Sequence, residues 1–166
     1  MRILFFCVLL CTFFGARSQS VVKQNEQWIQ DWLTAHNEWR REVGVPPLQW
    51  NEELSQSSEK WALRLSKKYG HLEHSKGEYG ENIYWNSTTV CPASEATNAW
   101  GSEKELYHDQ KISGSNYQKF GHYTQMIWRT TAEVGCAVVS NGDKGTYVVC
   151  QYLPAGNIIG QHPYKK

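Results

Sequence analysis

Val134-Gly135-Cys136-Ala137-Val138-Val139 and Thr146-Tyr147-Val148-Val149-Cys150-Gln151-Tyr152, joined by Asn141-Gly142-Asp143-Lys144-Gly145, read as two strands and a turn. Val134, Cys136 and Val138 fall on one face of the first strand, Ala137 and Val139 on the other, so both faces are apolar. Strands of that kind need cover on both sides. Several helices are available upstream, and the economical arrangement is a sheet sandwiched between helix layers. Cys136 and Cys150 are equidistant from Asp143. A hairpin symmetric about Asp143 therefore sets them directly opposite, within disulfide reach, and such a bridge contributes on the order of 3 kcal/mol.

The covering helices lie earlier in the chain. Residues 25–43 repeat apolar positions at helical spacing, with Trp28, Trp32, Ala35, Trp39 and Val43 widened by Ile29 and Leu33. Gly44 ends this helix and Pro46-Pro47 forbids its continuation. Asn51 is the N-cap of a second helix, with Glu52 and Glu53 in its first turn, Leu54, Ser58, Trp61, Leu65 and Tyr69 on its face and Gly70 at its end. A third begins near Ser94 and carries Ala96, Ala99 or Trp100, Glu103 and Leu106 or Tyr107 on one side. Phe120 to Trp128 holds a short fourth helix.

The N-terminus belongs to a different process. Arg2, the apolar run Ile3 to Phe14 and the small residues Ala16 and Ser18 describe a secretory signal peptide, residues 1–18, too short in its apolar part for the ~20 residues of a membrane-spanning helix. Residues 19–166 are then a single secreted, extracellular domain with Lys+Arg 15 against Asp+Glu 16. That balance supplies no basic stripe for nucleic acid, and no later segment is apolar enough to span a membrane. Hydrophobic residues make up 40% of the chain, too many for a disordered one. Three cysteines remain after cleavage. Beside Cys136 and Cys150, Cys91 is odd: free, shielded by a glycan, or joined to a second copy in a dimer. Asn86-Ser87-Thr88 is a glycosylation sequon.

Gly121-His122-Tyr123-Thr124-Gln125-Met126-Ile127-Trp128-Arg129-Thr130-Thr131 and Tyr147-Val148-Val149-Cys150-Gln151-Tyr152-Leu153-Pro154-Ala155-Gly156-Asn157-Ile158 together resemble the two signature segments of the CAP superfamily. That group comprises cysteine-rich secretory, antigen-5 and plant pathogenesis-related proteins. The likeness continues through His36-Asn37 with Arg40, Gly44 to Trp50, His74-Ser75, Gly80-Glu81-Asn82-Ile83, and Trp100 followed by Glu103, over roughly residues 27–164. It implies an α+β fold, a three-layer α-β-α sandwich, and the same Cys136–Cys150 pairing. It also implies a cleft lined by His74, Glu81, Glu103 and His122. Gly70 and Phe120 stand where plant relatives carry cysteines, and no cysteine-rich extension follows, so ion-channel regulation is not implied. Pro154 to Tyr164 resembles the defence peptide released from plant group-one proteins; the plainer alternative is a tail that closes the fold.

Two imidazoles and two carboxylates suit zinc or another borderline divalent cation, and zinc is the expected ion, with Glu81 and Glu103 as ligands or as groups orienting the imidazoles. No cofactor is required for folding. His71, His36, His108 and His162 are structural or solvated. The resemblance also implies a lipid or sterol under the loop Tyr84 to Pro92, with Tyr84 and Trp85 as flat apolar surface. The expected function is a non-enzymatic extracellular binding protein in a defence, venom or signalling setting, with an unidentified protein receptor. A metal-dependent hydrolase is the first alternative, though no His-Glu-x-x-His run is present and Ser75 beside His74 lacks a triad. A structural matrix protein with a vestigial cleft is the second.

Overall fold

A computed structural model describes residues 19–68 and 70–164. The expected signal peptide, Tyr69 and the final Lys165-Lys166 lie outside the described residues. The elements run β1 (Ser20–Val21), α1 (Glu26–Glu42), β2 (Gln49–Trp50), α2 (Glu52–Lys67), β3 (Gly80–Asn86), α3 (Ala93–Gly101), α4 (Tyr117–Met126), β4 (Glu133–Ser140) and β5 (Thr146–Leu153). The sheet order is β1-β4-β5-β3, antiparallel throughout, with β2 adding a parallel pair to the start of β4.

The hairpin has the expected register. Cys136 pairs with Cys150, and the two are bridged at a Cα separation of 4.1 Å. The faces separate as their alternation dictates. Val134, Cys136, Val138, Val148, Cys150 and Tyr152 pack with Trp32, Trp100, Tyr123 and Met126 of α1, α3 and α4. Val139, Tyr147 and Val149 pack with Ala62 and Leu65 of α2. The molecule is thus a three-layer α-β-α sandwich. Among the described residues no helix is long and apolar enough to cross a membrane.

Gly135 lets α2 approach β4 closely. A Cβ there would lie 2.2 Å from the Ser55 amide nitrogen and 2.5 Å from the Asn51 carbonyl. The approach allows the hydroxyls of Ser58 and Ser55 to donate to the Gly135 and Cys136 carbonyls, at 2.8 and 3.0 Å. The outer edge of β4 is closed by several short contributions. The Gln49, Asn51 and Val22 amides donate to the Ala132, Val134 and Val138 carbonyls. The side chain of Gln24 fills the interval by donating to Cys136 at 3.3 Å.

Helix α1 follows its caps. Asn25 accepts from the Trp28 amide at 2.8 Å, and Gly44 takes the left-handed conformation (φ +69°) after the last turn. Three polar residues of α1 then tie it to the rest. Asn37 clamps the exit loop by accepting from the Leu48 amide at 2.7 Å. His36 is fully buried: its Nδ1–H donates to the Trp32 carbonyl at 2.9 Å, so Nε2 accepts from the Tyr152 hydroxyl at 2.9 Å. Arg40, also 0% exposed, donates to four main-chain carbonyls: Pro46 (2.7 Å), Met126 (2.7 Å), Trp128 (3.0 Å) and Thr131 (2.8 Å). Burial pulls its guanidinium down to about 10, still charged at neutral pH.

Truncating Arg40 takes the donor from the Pro46, Met126 and Thr131 carbonyls, while Trp128 keeps the Thr131 amide; each carbonyl left bare costs about 1–3 kcal/mol where water does not reach. Arg40→Met is therefore expected to lower the free energy of unfolding by several kcal/mol, and Arg40→Lys to recover only part, as read by urea denaturation. A second outcome concerns acid. Burial, with Arg40 adding to it, lowers His36 from 6.5 to about 4. Between those values the unfolded chain holds the extra proton, so stability falls as pH drops from about 6.5 towards 4, by up to about 3 kcal/mol. Denaturation across that range should show the slope, and His36→Gln should flatten it.

Candidate functional site

His74 follows α2 on an irregular segment, Glu81 opens β3, and Glu103 and His122 come from the α3 exit and α4. The α-helix expected to carry Trp100 and Glu103 together ends at Gly101 and tightens into a 3-10 turn, Ser102–Leu106. Residues three apart eclipse in that geometry, so the carboxylate stays beside the indole side. Helix α4 is broken at Phe120 (φ −148°, ψ 17°), and a fresh helical start follows. Glu103 sits at that start. One oxygen accepts from the His122 and Tyr123 amides at 2.9 and 3.2 Å, the other from His122 Nδ1–H at 2.6 Å. A carboxylate is favoured there by the unpaired amides and the helix dipole. Trp100 stacks on the His122 ring, 6.3 Å between centroids and 19° between planes.

The second pair has the same design. Glu81 Oε1 accepts from His74 Nδ1–H at 3.0 Å and from the Ser75 amide at 2.8 Å, and Oε2 from Gln151 at 2.9 Å. Burial opposes the Glu81 charge, but the hydrogen bonds from His74, Ser75 and Gln151 outweigh it and hold the carboxyl below its ordinary range. In both pairs Nδ1 carries the proton, so the neutral ring keeps its lone pair on Nε2.

His74, Glu81 and His122 line a cleft of about 520 Å³; Glu103 stands outside its wall, holding His122. The expected residues are thus gathered as two His–Glu pairs rather than as a four-ligand cluster. Among the described residues no three of them bring ligand atoms within 4.8 Å of one another. The trio that does, His36 with Cys136 and Cys150, has its sulfurs joined in the disulfide. Sequence reasoning missed the opposite wall, which includes Tyr117, Gln125 and Asn157. Asn157 donates to the Gly121 carbonyl (2.8 Å) and accepts from Thr124 (2.6 Å), while Gln125 accepts from the Gly156 amide (2.8 Å). The tail is further stitched by bonds between Ile112 and Gln161 and between Arg129 and Pro163. Pro154 to Tyr164 therefore closes the fold and walls the cleft.

A family model, CAP: Cysteine-rich secretory protein family, matches residues 33–152. The chain belongs to the CAP family. Pathogenesis-related protein 1C of Nicotiana tabacum is 40% identical over 160 residues, 96% of this chain and 94% of that one. Pathogenesis-related protein PRMS of Zea mays is 42% identical over 137 residues, 81% of each. Among solved structures, "Crystal structure of NaASP2 with Zn2+" aligns with a TM-score of 0.71 and 28% identity, covering 86% of this chain and 87% of the other.

Other expected sites of the CAP domain fall differently. Tyr84 and Trp85 are neighbours on a strand and face opposite ways. Tyr84 packs with the α1 side and donates to Glu95 at 3.0 Å; Trp85 packs with the α2 side and donates to the Lys144 carbonyl at 3.1 Å. They do not share a face of the sheet. The loop itself does cover a cleft of about 720 Å³, where Val90, Cys91 and Pro92 meet Trp28, Trp32 and Ala35 of α1. Cys91 is buried, and desolvation with the nearby Glu95 carboxylate pushes its thiol up to about 12, so a bridge to a second copy requires the loop to open. His36 is structural, and His71 faces Glu73 at 3.4 Å, away from the cleft wall.

Asn86 of the sequon is held within its own loop. It is 9% exposed, and its amide nitrogen donates to the Val90 carbonyl (3.0 Å) and to Glu95 (2.8 Å), occupying both hydrogens. A glycan on that nitrogen would replace one of its two hydrogens and so remove one of these bonds. Asn86→Ala is expected to be destabilised by about 1–3 kcal/mol, as read by urea denaturation.

Proposed function

We propose that the chain is a secreted, non-enzymatic CAP protein of the pathogenesis-related type that binds a divalent cation, zinc, through His74 and His122. The observation that carries this is the matched pair of imidazoles, each with Nδ1 held by a carboxylate and Nε2 left as the lone pair on a common cleft. Carboxylate–histidine pairs of this kind raise ligand basicity and fix the ring. The similar NaASP2 structure is one with Zn2+, which supports the choice of ion. Two imidazoles leave the ion's other positions open, so the affinity falls short of a closed structural zinc site. The carboxylates also favour binding over hydrolysis. Each accepts three hydrogen bonds from neighbouring donors, which leaves neither as a ready general base. Secretion and a defence role rest on the N-terminal sequence and on the names of the pathogenesis-related relatives.

A second reading, a lipid or sterol bound as well, is supported by the 720 Å³ cleft between α1 and the Val90–Pro92 loop. Its apolar surface comes from Trp28 and Trp32 rather than from Tyr84 and Trp85.

Native mass spectrometry of the secreted protein reads both. One zinc per chain is expected, weakening as pH falls below ~6.5 because protonated imidazole cannot ligate. Calorimetry should show that Glu81→Gln lowers zinc affinity by about 10–100-fold. Equal zinc binding by a His74→Ala/His122→Ala double variant would overturn the assignment. A co-purifying lipid displaced by bulk at Ala35 (Ala35→Trp) would support the second site.

A further inference from the structure

Behind the Ser75–Tyr79 turn lies a smaller hollow of about 280 Å³, on the α2 side of the sheet. Lys60, Trp61 and Arg64 of α2 form one wall, Ser75 and Tyr79 another, and Gln151 of β5 completes it. Lys60 and Arg64 stand one helical turn apart, and no acidic side chain lines the hollow. Among the described residues, neither cation has a carboxylate within 4.0 Å. The Arg64 guanidinium lies over the Trp61 indole at 5.3 Å, and that ring is fixed by donating to the Glu73 carbonyl at 3.0 Å. Arg64 is therefore presented on a firm surface, with Lys60 one turn away, and among the described residues neither has a carboxylate partner within 4.0 Å.

Gln151 adds a demand of a different kind. It is 2% exposed, its amide nitrogen is committed to Glu81 at 2.9 Å, and its Oε1 is buried without a hydrogen-bond partner. Flipping the amide would aim its carbonyl at the Glu81 carboxylate, so the orientation is forced. A buried acceptor without a donor is uncommon and calls for a partner. Oε1 is sealed as it stands, so a ligand hydroxyl reaches it only when the Ser75 hydroxyl, 3.5 Å from the amide nitrogen and at the limit of a hydrogen bond, rotates aside.

We infer that this hollow binds an acidic saccharide, a uronate-type sugar unit whose anionic group lies between Lys60 and Arg64 and whose hydroxyl donates to Gln151. Sulfate, a bare oxyanion, matches the cations but has no proton to give Gln151. A neutral sugar can serve Gln151 but leaves the cations unmatched. A hydroxylated acid does both, and the partly exposed Tyr79 ring offers a flat apolar face to a sugar ring.

The test is calorimetry on the full mature chain with trigalacturonic acid, against maltotriose and sodium sulfate. Chelator is present throughout, so the outcome does not depend on a cation at His74 and His122. Saturable binding of the acidic trisaccharide alone is expected, weakened at least tenfold in Lys60→Gln/Arg64→Gln. Both positions are exposed, and circular dichroism checks the fold; should the double variant misfold, the single variants carry the comparison. Absence of saccharide binding, equal binding by the variant, or sulfate binding as tightly as the saccharide each overturns the inference.

Discussion

A single buried cation holds this domain in register. Arg40 reaches from α1 to the loop that leaves it, to the end of α4 and to the approach to β4, using only main-chain carbonyls as partners. Carbonyl oxygens do not neutralise a charge, so the guanidinium stays buried only while all of them converge on it. Segments separated by as many as 91 residues are thereby fixed relative to one another. His36, one turn earlier, does the neutral equivalent through Trp32 and Tyr152. Asn82 continues the path by donating to the His122 carbonyl at 3.0 Å. Asn82 also hydrogen-bonds Tyr152, so buried His36 and the cleft histidine are joined through Tyr152 and Asn82.

Much of the architecture was legible because it depends on short-range pattern. Alternation in Val134 to Val139 sorts side chains between two helix layers. Asn51 and Gly44 mark helix boundaries, and symmetry about Asp143 places two cysteines face to face. The four cleft residues were legible only through resemblance, because nothing local connects His74 with His122. What escaped depends on partners far along the chain. Asn86 lies in a sequon, and its side chain is held by Glu95, nine residues on, and by the loop between them. Trp85 is aromatic and adjoins Tyr84, yet strand geometry turns it towards Lys144.

The two His–Glu pairs show how different local structure converges on one electrostatic solution. Glu103 is held by main-chain amides at a helix start created by the break at Phe120. Glu81 is held by a turn amide and the Gln151 side chain. In each case the backbone fixes the acid and the acid fixes the imidazole. The ring orientation is therefore inherited from the fold rather than from whatever occupies the cleft, which is what preorganisation of a binding site requires.

The patchwork along the outer side of β4 bears on how the molecule behaves in a crowd. An unpaired strand edge is an invitation to another chain to extend the sheet. Here Val22, Gln24, Gln49 and Asn51 occupy the acceptors from Ala132 to Val138 in succession. They arrive from two different stretches of chain, so no single peptide can displace them by sliding in from one end. On that side the sheet is terminated against polymerisation, and growth into fibrils through β4 would first require both the N-terminal segment and the α1 exit loop to detach.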